Sequence, residues 1–420
     1  MKIIYFHQYF NTPDMIGGTR SFEFARRLVL MGHRVDIITS YREKKNLSNW
    51  FRTRENGIYV HWLPVPYSNH MNFYDRLKAF FRFAWFSATK ALDLNADIIY
   101  ASSTPLTIAL PAIFASKRKK IPMVFEVRDL WPKIPIALGI LKNPFLCFLA
   151  NLLEKAAYYF SDSIVVLSPD MKNQIISKNK ISSNKIAVIP NSCDIKDFKY
   201  NKKLAVNFKK DRPWLNNNPI LVYAGAFGKV NNLLYAVKLA KALKKQKSNI
   251  KILLIGDGFE KFNIIKEAKK NNVFNYNLFF EDPIPKKQIR ACFSAATMCA
   301  NFVIDTKETW ANSANKFFDT LATGKPIFLN HGGWMQALVS LNKCGIAIYN
   351  EPIYKVAKKL DRYMNDKKLL AKAEKQSTKL AKNYFNRDIL AKKLESVLLT
   401  NYRKQKINMS EIAPGIYKKI

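Results

Sequence analysis

Three short stretches carry the residue types that a phosphate-handling enzyme needs. The first is Ala311-Asn312-Ser313-Ala314-Asn315-Lys316-Phe317-Phe318-Asp319, running on through Thr320-Leu321-Ala322-Thr323-Gly324-Lys325-Pro326. Asn312 or Ser313 can cap the helix that follows, and Lys316 falls on its first turn. A diphosphate there gains from both the helix dipole and the charge, whereas the plainer reading is a structural cap. The second stretch, Phe125-Glu126-Val127-Arg128-Asp129-Leu130-Trp131-Pro132, sets three charged residues at the carboxyl end of an apolar run. Such residues face a cleft, or else Arg128 and Asp129 simply pair with each other. The third, Asn11-Thr12-Pro13-Asp14-Met15-Ile16-Gly17-Gly18-Thr19-Arg20, offers two adjacent glycines before a helix. Gly17 and Gly18 let the backbone approach a ligand closely, or form an ordinary turn. They are not a Gly-x-Gly-x-x-Gly fingerprint, so a nicotinamide cofactor loses ground.

Two further glycine turns follow apolar runs, at Tyr223-Ala224-Gly225-Ala226-Phe227-Gly228-Lys229 and Leu254-Ile255-Gly256-Asp257-Gly258. Together the pieces describe a nucleoside diphosphate held by the second half of the chain and a partner substrate held by the first.

The elements that must position these residues follow from periodicity. Short apolar runs at 3–6, 35–39, 58–63, 97–102, 123–127, 163–167 and 186–189 read as strands, with helices over 19–31 and 74–94. The pattern restarts with strands over 220–224, 251–255, 278–281, 297–303 and 326–329. Helices are expected over 233–245, 313–322, 354–358, 366–382 and 387–403. Strands apolar on both faces and separated by helices make a parallel, doubly wound sheet, so the fold class is α/β with two Rossmann-like domains. The expected divisions are a first domain over 1–200, a polar linker over 201–219 and a second domain over 220–385. A last helix over 386–405 and a loose basic tail over 406–420 complete the chain.

Composition narrows the function classes. The 420 residues are 48% hydrophobic, which is normal for packed domains and excludes general disorder. Cys147, Cys193, Cys292, Cys299 and Cys344 are odd in number and scattered, so a reduced compartment fits better than a disulfide scaffold. The histidines are scattered and there is no Asp-x-Asp, so no metal is expected. The 69 Lys+Arg against 31 Asp+Glu give a formal charge of +38. That excess is either compositional or directed at an anionic membrane, nucleic acid or phosphorylated substrate.

The ordered set of motifs resembles GT-B glycosyltransferases of family 4, a retaining group. It is closest to the bacterial surface-polysaccharide subgroup that includes L-fucosamine (N-acetylfucosamine) transferases. The resemblance rests on His7-Gln8-Tyr9-Phe10 with Gly17 to Arg20, Glu126 to Pro132, Pro190-Asn191-Ser192-Cys193-Asp194 with Phe198, Gly225 to Lys229, Gly256 to Gly258, and Asn312 to Pro326. It implies two Rossmann-like domains facing a cleft, with the last helix crossing back to the first domain.

It also implies site roles. Donor contacts would come from Gly17, Gly18, Gly225, Lys229, Gly256, Asn312, Ser313, Asn315, Lys316 and Asp319, with Arg128, Asp129 and Lys316 as the catalytic set. The family carries two glutamates seven residues apart. Asp319 matches the second, typically on ribose, but the first falls on Ala311, and Glu308 is out of register. Ala226 stands where the family has a diphosphate-binding arginine, Lys229 sits early, and Arg128 replaces a common histidine. Lys316 is then the preferred diphosphate cation. The implied reaction is a metal-independent, front-face transfer from a UDP-sugar, without a covalent nucleophile.

A membrane surface is the other expectation. The segment 70–94 interleaves Phe73, Tyr74, Phe81 and Trp85 with Lys78 and Arg82, and Phe145, Phe148 and Leu149 lie on a second apolar helix over 144–160. Aromatic and basic residues together suit an interface, although an apolar stripe is ordinarily core. No run reaches a membrane-spanning length, and residues 3–6 read as a buried strand, not a signal peptide. A lipid-linked saccharide acceptor, implied by the resemblance, favours a cytoplasmic protein peripheral on the inner membrane. Two competing classes are an epimerase of UDP-N-acetylglucosamine on the same architecture and a basic nucleic-acid binder, the latter without a recognition motif.

Overall fold

The computed structural model describes residues 1–15, 17–43, 49–68, 71–215 and 217–416, except the side chains of Phe73, Lys287 and 406–416. Ile16 and His70, which belong to two of the motifs above, lie outside the described residues, as do 417–420 of the expected tail. The chain divides into two units. The first comprises Met1–Thr12, Gly18–Pro190 and Asp388–Ile420; the second comprises Pro13–Gly17 and Asn191–Arg387.

The first unit holds β1 (Lys2–Phe6), β2 (Arg34–Tyr41), β3 (Phe51–Glu55), β4 (Ile58–Pro64), β5 (Ile98–Ser102), β6 (Met123–Val127), β7 (Ser163–Val166) and β8 (Ile186–Val188). Its helices are α1 (Arg20–Leu30), α2 (Phe73–Leu92), α3 (Ala109–Lys119), α4 (Lys133–Ala137), α5 (Pro144–Phe160) and α6 (Pro169–Asn179). The sheet order is β3-β4-β2-β1-β5-β6-β7-β8. All pairings are parallel except β3 with β4. The strands β1, β5 and β6 are buried along nearly their whole length, as an apolar run covered by helices on both faces must be. Edge strand β3 reads Phe-Arg-Thr-Arg-Glu, and its alternating charges keep one side solvated and the open edge unattractive. That same polarity hides it from an apolar-run criterion.

The second unit holds β9 (Ile220–Ala224), β10 (Lys251–Ile255), β11 (Leu278–Glu281), β12 (Met298–Asn301), β13 (Ile327–Leu329) and β14 (Gly345–Ala347). They form an all-parallel sheet in the order β11-β10-β9-β12-β13-β14. Its helices are α7 (Ile195–Phe198), α8 (Lys202–Lys210), α9 (Leu234–Lys245), α10 (Lys261–Lys270), α11 (Lys286–Ala295), α12 (Asn315–Thr323), α13 (Trp334–Asn342), α14 (Ile353–Asn365) and α15 (Lys367–Tyr384).

Two expectations are corrected. The stretch 201–219 is not a free linker, because α8 occupies much of it and belongs to the second unit. Asn201 caps α8 by accepting from the Leu204 amide at 2.9 Å, and Ala205 and Phe208 are buried with Leu215 against Cys292 and Phe293 of α11. Lysines on its outer face disguise that apolar stripe. The segment 406–416 is likewise helical, since α16 (Arg387–Ile416) runs on past Arg403. This last helix packs on the first unit as the resemblance implied. Asp388 accepts from Arg27 at 2.6 Å, Glu395 meets His33 at 2.8 Å, and Asn401 donates to Ser163 at 2.9 Å.

Candidate active site

In the second unit the turns after β9 and β10 interlock. The Gly225 amide donates to Ile255 at 2.9 Å, and the Phe227 amide donates to Asp257 at 2.8 Å. A Cβ on Gly256, where φ is +148°, would sit 1.9 Å from the Gly225 carbonyl oxygen, so only glycine allows this approach. Gly256 therefore has a packing reason for being glycine, quite apart from the ligand contact expected of it.

Gly225 leaves room for Lys316. A Cβ there would lie 3.0 Å from Lys316 Nζ and Cε. The ammonium sits 4.0 Å above the centroid of the Tyr223 ring and donates to Asn231 Oδ1 at 3.3 Å. Among the described residues no carboxylate lies within ion-pair distance of it, and burial lowers its pKa to about 7. The second unit thus holds a cation, poised between charged and neutral, whose protein partners are a ring face and an amide oxygen.

The cap expected ahead of Lys316 is placed differently. Helix α12 begins at Asn315, its N-cap is Ala314, and no side chain caps it. Ser313 Oγ instead accepts from the Asn191 amide at 3.2 Å, and the Asn191 side chain bonds the Ser313 carbonyl. Asn312 donates to the Thr309 carbonyl at 2.7 Å, and its own carbonyl accepts from Trp334 Nε1 at 2.7 Å. The two polar residues are spent on loop-to-loop bonds because the helix starts later than they do. Among the described residues no side-chain acceptor meets its first-turn N–H groups.

One helical turn on, Asp319 is buried, with Lys286 Nζ 3.7 Å from one carboxylate oxygen. Oδ1 has no hydrogen-bond partner among the described residues. Burial raises this carboxyl above the usual range, opposed by Lys286 and Arg387. Lys229 is exposed on a short turn and is not joined to Lys316; Asn231, two residues on, makes that contact. Ala311 is buried, so its position presents an apolar group.

In the first unit the charged motif at the end of β6 separates into three roles. Glu126 is fully buried. It accepts from Arg20 Nε and Nη2 at 3.0 and 2.8 Å and from Ser102 at 2.5 Å. Arg20 also donates to the carbonyls of Ile189 and Pro190, at 2.8 and 2.6 Å, so this ion pair ties α1, β6 and the end of β8 together. Asp129 is exposed and accepts from Thr104 at 3.2 Å. Arg128 donates through Nη1 to His7 Nε2 at 2.8 Å, so the simple Arg128–Asp129 pairing is not formed.

A guanidinium can only donate, which makes His7 Nε2 an acceptor and places the ring proton on Nδ1. Nδ1 then donates to Ser21 Oγ at 2.6 Å. Burial, with Arg128, Arg42 and Arg20 nearby, holds the His7 pKa well below its ordinary value, so the ring is neutral. Gly17 takes a positive φ of +134°, and the Gly18 carbonyl accepts from Asn11 at 3.2 Å.

The aromatic and basic residues of α2 lie together on its exposed side. Tyr74, Lys78, Phe81, Arg82 and Trp85 are all exposed on one side of α2, with Tyr74 and Trp85 about three-quarters exposed, at 74% and 73%. The opposite side buries Ala79, Phe83 and Ala84. On α5, Phe145, Phe148 and Leu152 are exposed. The Phe73 side chain lies outside the description. No described helix is long and apolar enough to cross a membrane. Among the described residues no group of His, Cys, Asp and Glu could hold a metal ion, and all five cysteines are unpaired.

Some residues of this geometry carry little signal of their own in sequence. Tyr223 reads as a strand residue, Asn231 as a turn residue, Arg42 as one more surface cation, and Lys286 as part of a lysine-rich helix face. Ser21 looks like any polar residue early in a helix.

Residues 17–192 match the glycosyl transferase 4-like domain, and residues 207–380 match the glycosyl transferases group 1 domain. With one all-parallel sheet and one parallel but for its edge strand, the chain belongs to the group 1 glycosyltransferases of the GT-B fold. It is 25% identical over 311 residues to the capsular polysaccharide biosynthesis glycosyltransferase CapM of Staphylococcus aureus, covering 72% of this chain and 76% of that protein. Among solved structures it superposes on sucrose-phosphate synthase from Thermosynechococcus elongatus with a TM-score of 0.78 at 14% identity, over 96% and 99% of the two chains. It superposes on Anabaena HepE in complex with UDP and glucose with a TM-score of 0.71 at 15% identity, over 95% and 100%. At these identities the structural likeness shows the fold.

Proposed function

We propose that the protein is a retaining transferase that moves a sugar, an N-acetylamino sugar by its subgroup resemblance, from a UDP-sugar to a polyprenyl-diphosphate-linked acceptor. The observation that carries this reading is Lys316: a desolvated ammonium on the first turn of α12, beside a helix N-terminus that no side chain caps. A leaving diphosphate needs positive charge and preorganised N–H donors where its own charge develops, and this turn offers both. Asp319, buried one turn later with an unpartnered oxygen, suits a ribose hydroxyl. CapM, by its name, works in capsule biosynthesis, and HepE was crystallised with UDP, which supports a surface-polysaccharide role and a UDP donor.

Arg128 and Asp129 serve as acceptor-side groups in this reading. Gly225, Asn312, Ser313 and Asn315 shape the donor seat of the second unit in this reading, with Lys229 at its edge. The α2 face brings the enzyme to the cytoplasmic surface of the membrane, its aromatic rings at the headgroup level and Lys78 and Arg82 toward anionic lipid. The test is a thermal-shift panel of UDP, GDP, ADP and UDP-N-acetylamino sugars. Ligand binding to the folded state raises the melting temperature by mass action. Stabilisation by uridine compounds alone supports the reading, and no response to any nucleotide would overturn it.

A further inference from the structure

In the first sheet the chain order reverses at β1, which lies between β2 on one side and β5 on the other. The crevice outside the carboxyl ends of the strands at such a switch point is where open α/β sheets bind ligands. Four adjacent strands deliver one polar residue each to that edge. Arg42 follows β2, His7 follows β1, Ser103 follows β5, and Arg128 follows β6. Ser103 Oγ accepts from the Arg128 backbone amide at 3.0 Å, which fixes the start of that loop.

No direct ion pair among the described residues closes on the two cations at this edge. Among the described residues neither Arg128 nor Arg42 has a carboxylate within ion-pair distance. The side chain of Arg128 bonds only the neutral His7 ring, and that of Arg42 only the Asn11 amide oxygen. The nearby carboxylates spend their hydrogen bonds on other groups, Glu126 on Arg20 and Ser102, Asp129 on Thr104 and Glu43 on Tyr41, and act on the two arginines only through space. Both guanidiniums act on the same imidazole, and burial alone is the main cause lowering the Arg42 pKa. Arginine is poorly suited to idling unpaired where it is partly buried, and its remaining N–H groups form a planar fork shaped for an oxyanion. Tyr9 and Tyr67 stand beside Arg42, with ring centroids 4.8 Å apart, and Phe80 of α2 closes on Tyr67 at 6.1 Å. Phe80 thus brings this edge against α2, the helix whose outer face is aromatic and basic.

From this placement we infer that Arg128 and Arg42, with His7 as the residue positioning Arg128, form an oxyanion seat in the first unit that takes the charged group of the acceptor substrate. This rests on the transferase reading for the word acceptor; the seat itself rests on the first sheet. The oxyanion can be the diphosphate of a lipid-linked saccharide or the carboxylate of an acidic sugar, which share the fork-shaped recognition.

Isothermal titration of the full-length Lys316→Ala variant with inorganic pyrophosphate, saturated with UDP, isolates this seat from the second unit. One pyrophosphate per chain is expected. Arg128→Ala in that background should weaken it tenfold or more, Arg128→Lys less, and His7→Gln severalfold, with the melting temperature and UDP affinity unchanged in each. Retained pyrophosphate affinity in the Arg128→Ala chain would overturn the inference, as would the absence of pyrophosphate binding before that change. A parallel titration with glucuronate separates the sources: tighter pyrophosphate assigns the diphosphate, tighter glucuronate the carboxylate, and binding of neither overturns the seat. If UDP fails to bind the wild-type chain, the transferase reading falls, while the pyrophosphate titration without UDP still reports on Arg128.

Discussion

The two units each present a cation near the carboxyl edge of a parallel sheet, and they hold it by opposite means. Lys316 rests on a ring face and beside a glycine, with only an amide oxygen as a hydrogen-bond acceptor. Arg128 is braced by a histidine whose own proton is fixed by Ser21. A desolvated ammonium surrenders its proton easily, whereas a guanidinium stays charged at every working pH. The second unit should therefore respond to pH and to the arrival of an anion. The first should give a constant charge in a constant place.

The comparison breaks most visibly at Lys316. Replacing it with alanine should lower turnover about 100- to 1000-fold, the loss typical of removing one preorganised donor from a developing oxyanion. The melting temperature should hold or rise, because a desolvated charge is removed. Saturating-donor kinetics with circular dichroism on the same sample check both halves of that statement.

The next effect is in pH. The free enzyme's Lys316 has its pKa lowered to about 7 by burial, and a bound diphosphate must raise it again. Binding UDP therefore takes up a proton above pH 7, and affinity should fall as pH rises, by at most about tenfold per unit. The same linkage acts on stability with the following sign: a lysine depressed on folding disfavours the folded state below its folded pKa, and that cost is relieved as pH climbs from about 7 toward 10.5. Arg128→Ala should leave the slope of UDP affinity with pH intact. A slope that disappears in that variant would erase the distinction between the two cations.

Smaller again is Gly225→Ala. The added Cβ falls 3.0 Å from the Lys316 ammonium, and the flexible side chain must shift by a few tenths of an ångström. Misplacing the charge should cost turnover about tenfold, well within what a small displacement of a catalytic group costs. A change confined to donor KM would mean that Lys316 binds without assisting departure. The least effect belongs to the outer face of α2. Neutralising Lys78 and Arg82 together should weaken binding to anionic vesicles by about 1 kcal/mol per cation and leave transfer to a soluble acceptor analogue unchanged.

The sequence makes the two sheets and the residues near both cations readable, because buried parallel strands are continuous apolar runs and Lys316 and Arg128 stand at element ends. It is silent where polarity disguises structure. Helix α8 buries Ala205 and Phe208 beneath lysines, and β3 alternates Arg52 and Arg54 with its inward residues. It also misleads over capping. Asn312 and Ser313 have the chemistry of an N-cap, yet tertiary bonds to Asn191, Thr309 and Trp334 claim them, and the helix starts at Asn315. The pairing of Arg128 with His7 joins residues 121 apart in the chain, and only the β1-β5-β6 order brings them together.

The most direct test of Lys316 as the diphosphate cation is calorimetric titration of UDP into the wild-type chain and Lys316→Met at pH 7 and pH 9, in buffers of different ionisation enthalpy. The account predicts proton uptake and weaker binding at pH 9 for the wild type, with weaker but pH-flat binding and no uptake for the variant. Equal affinities and equal proton counts for the two chains would contradict it.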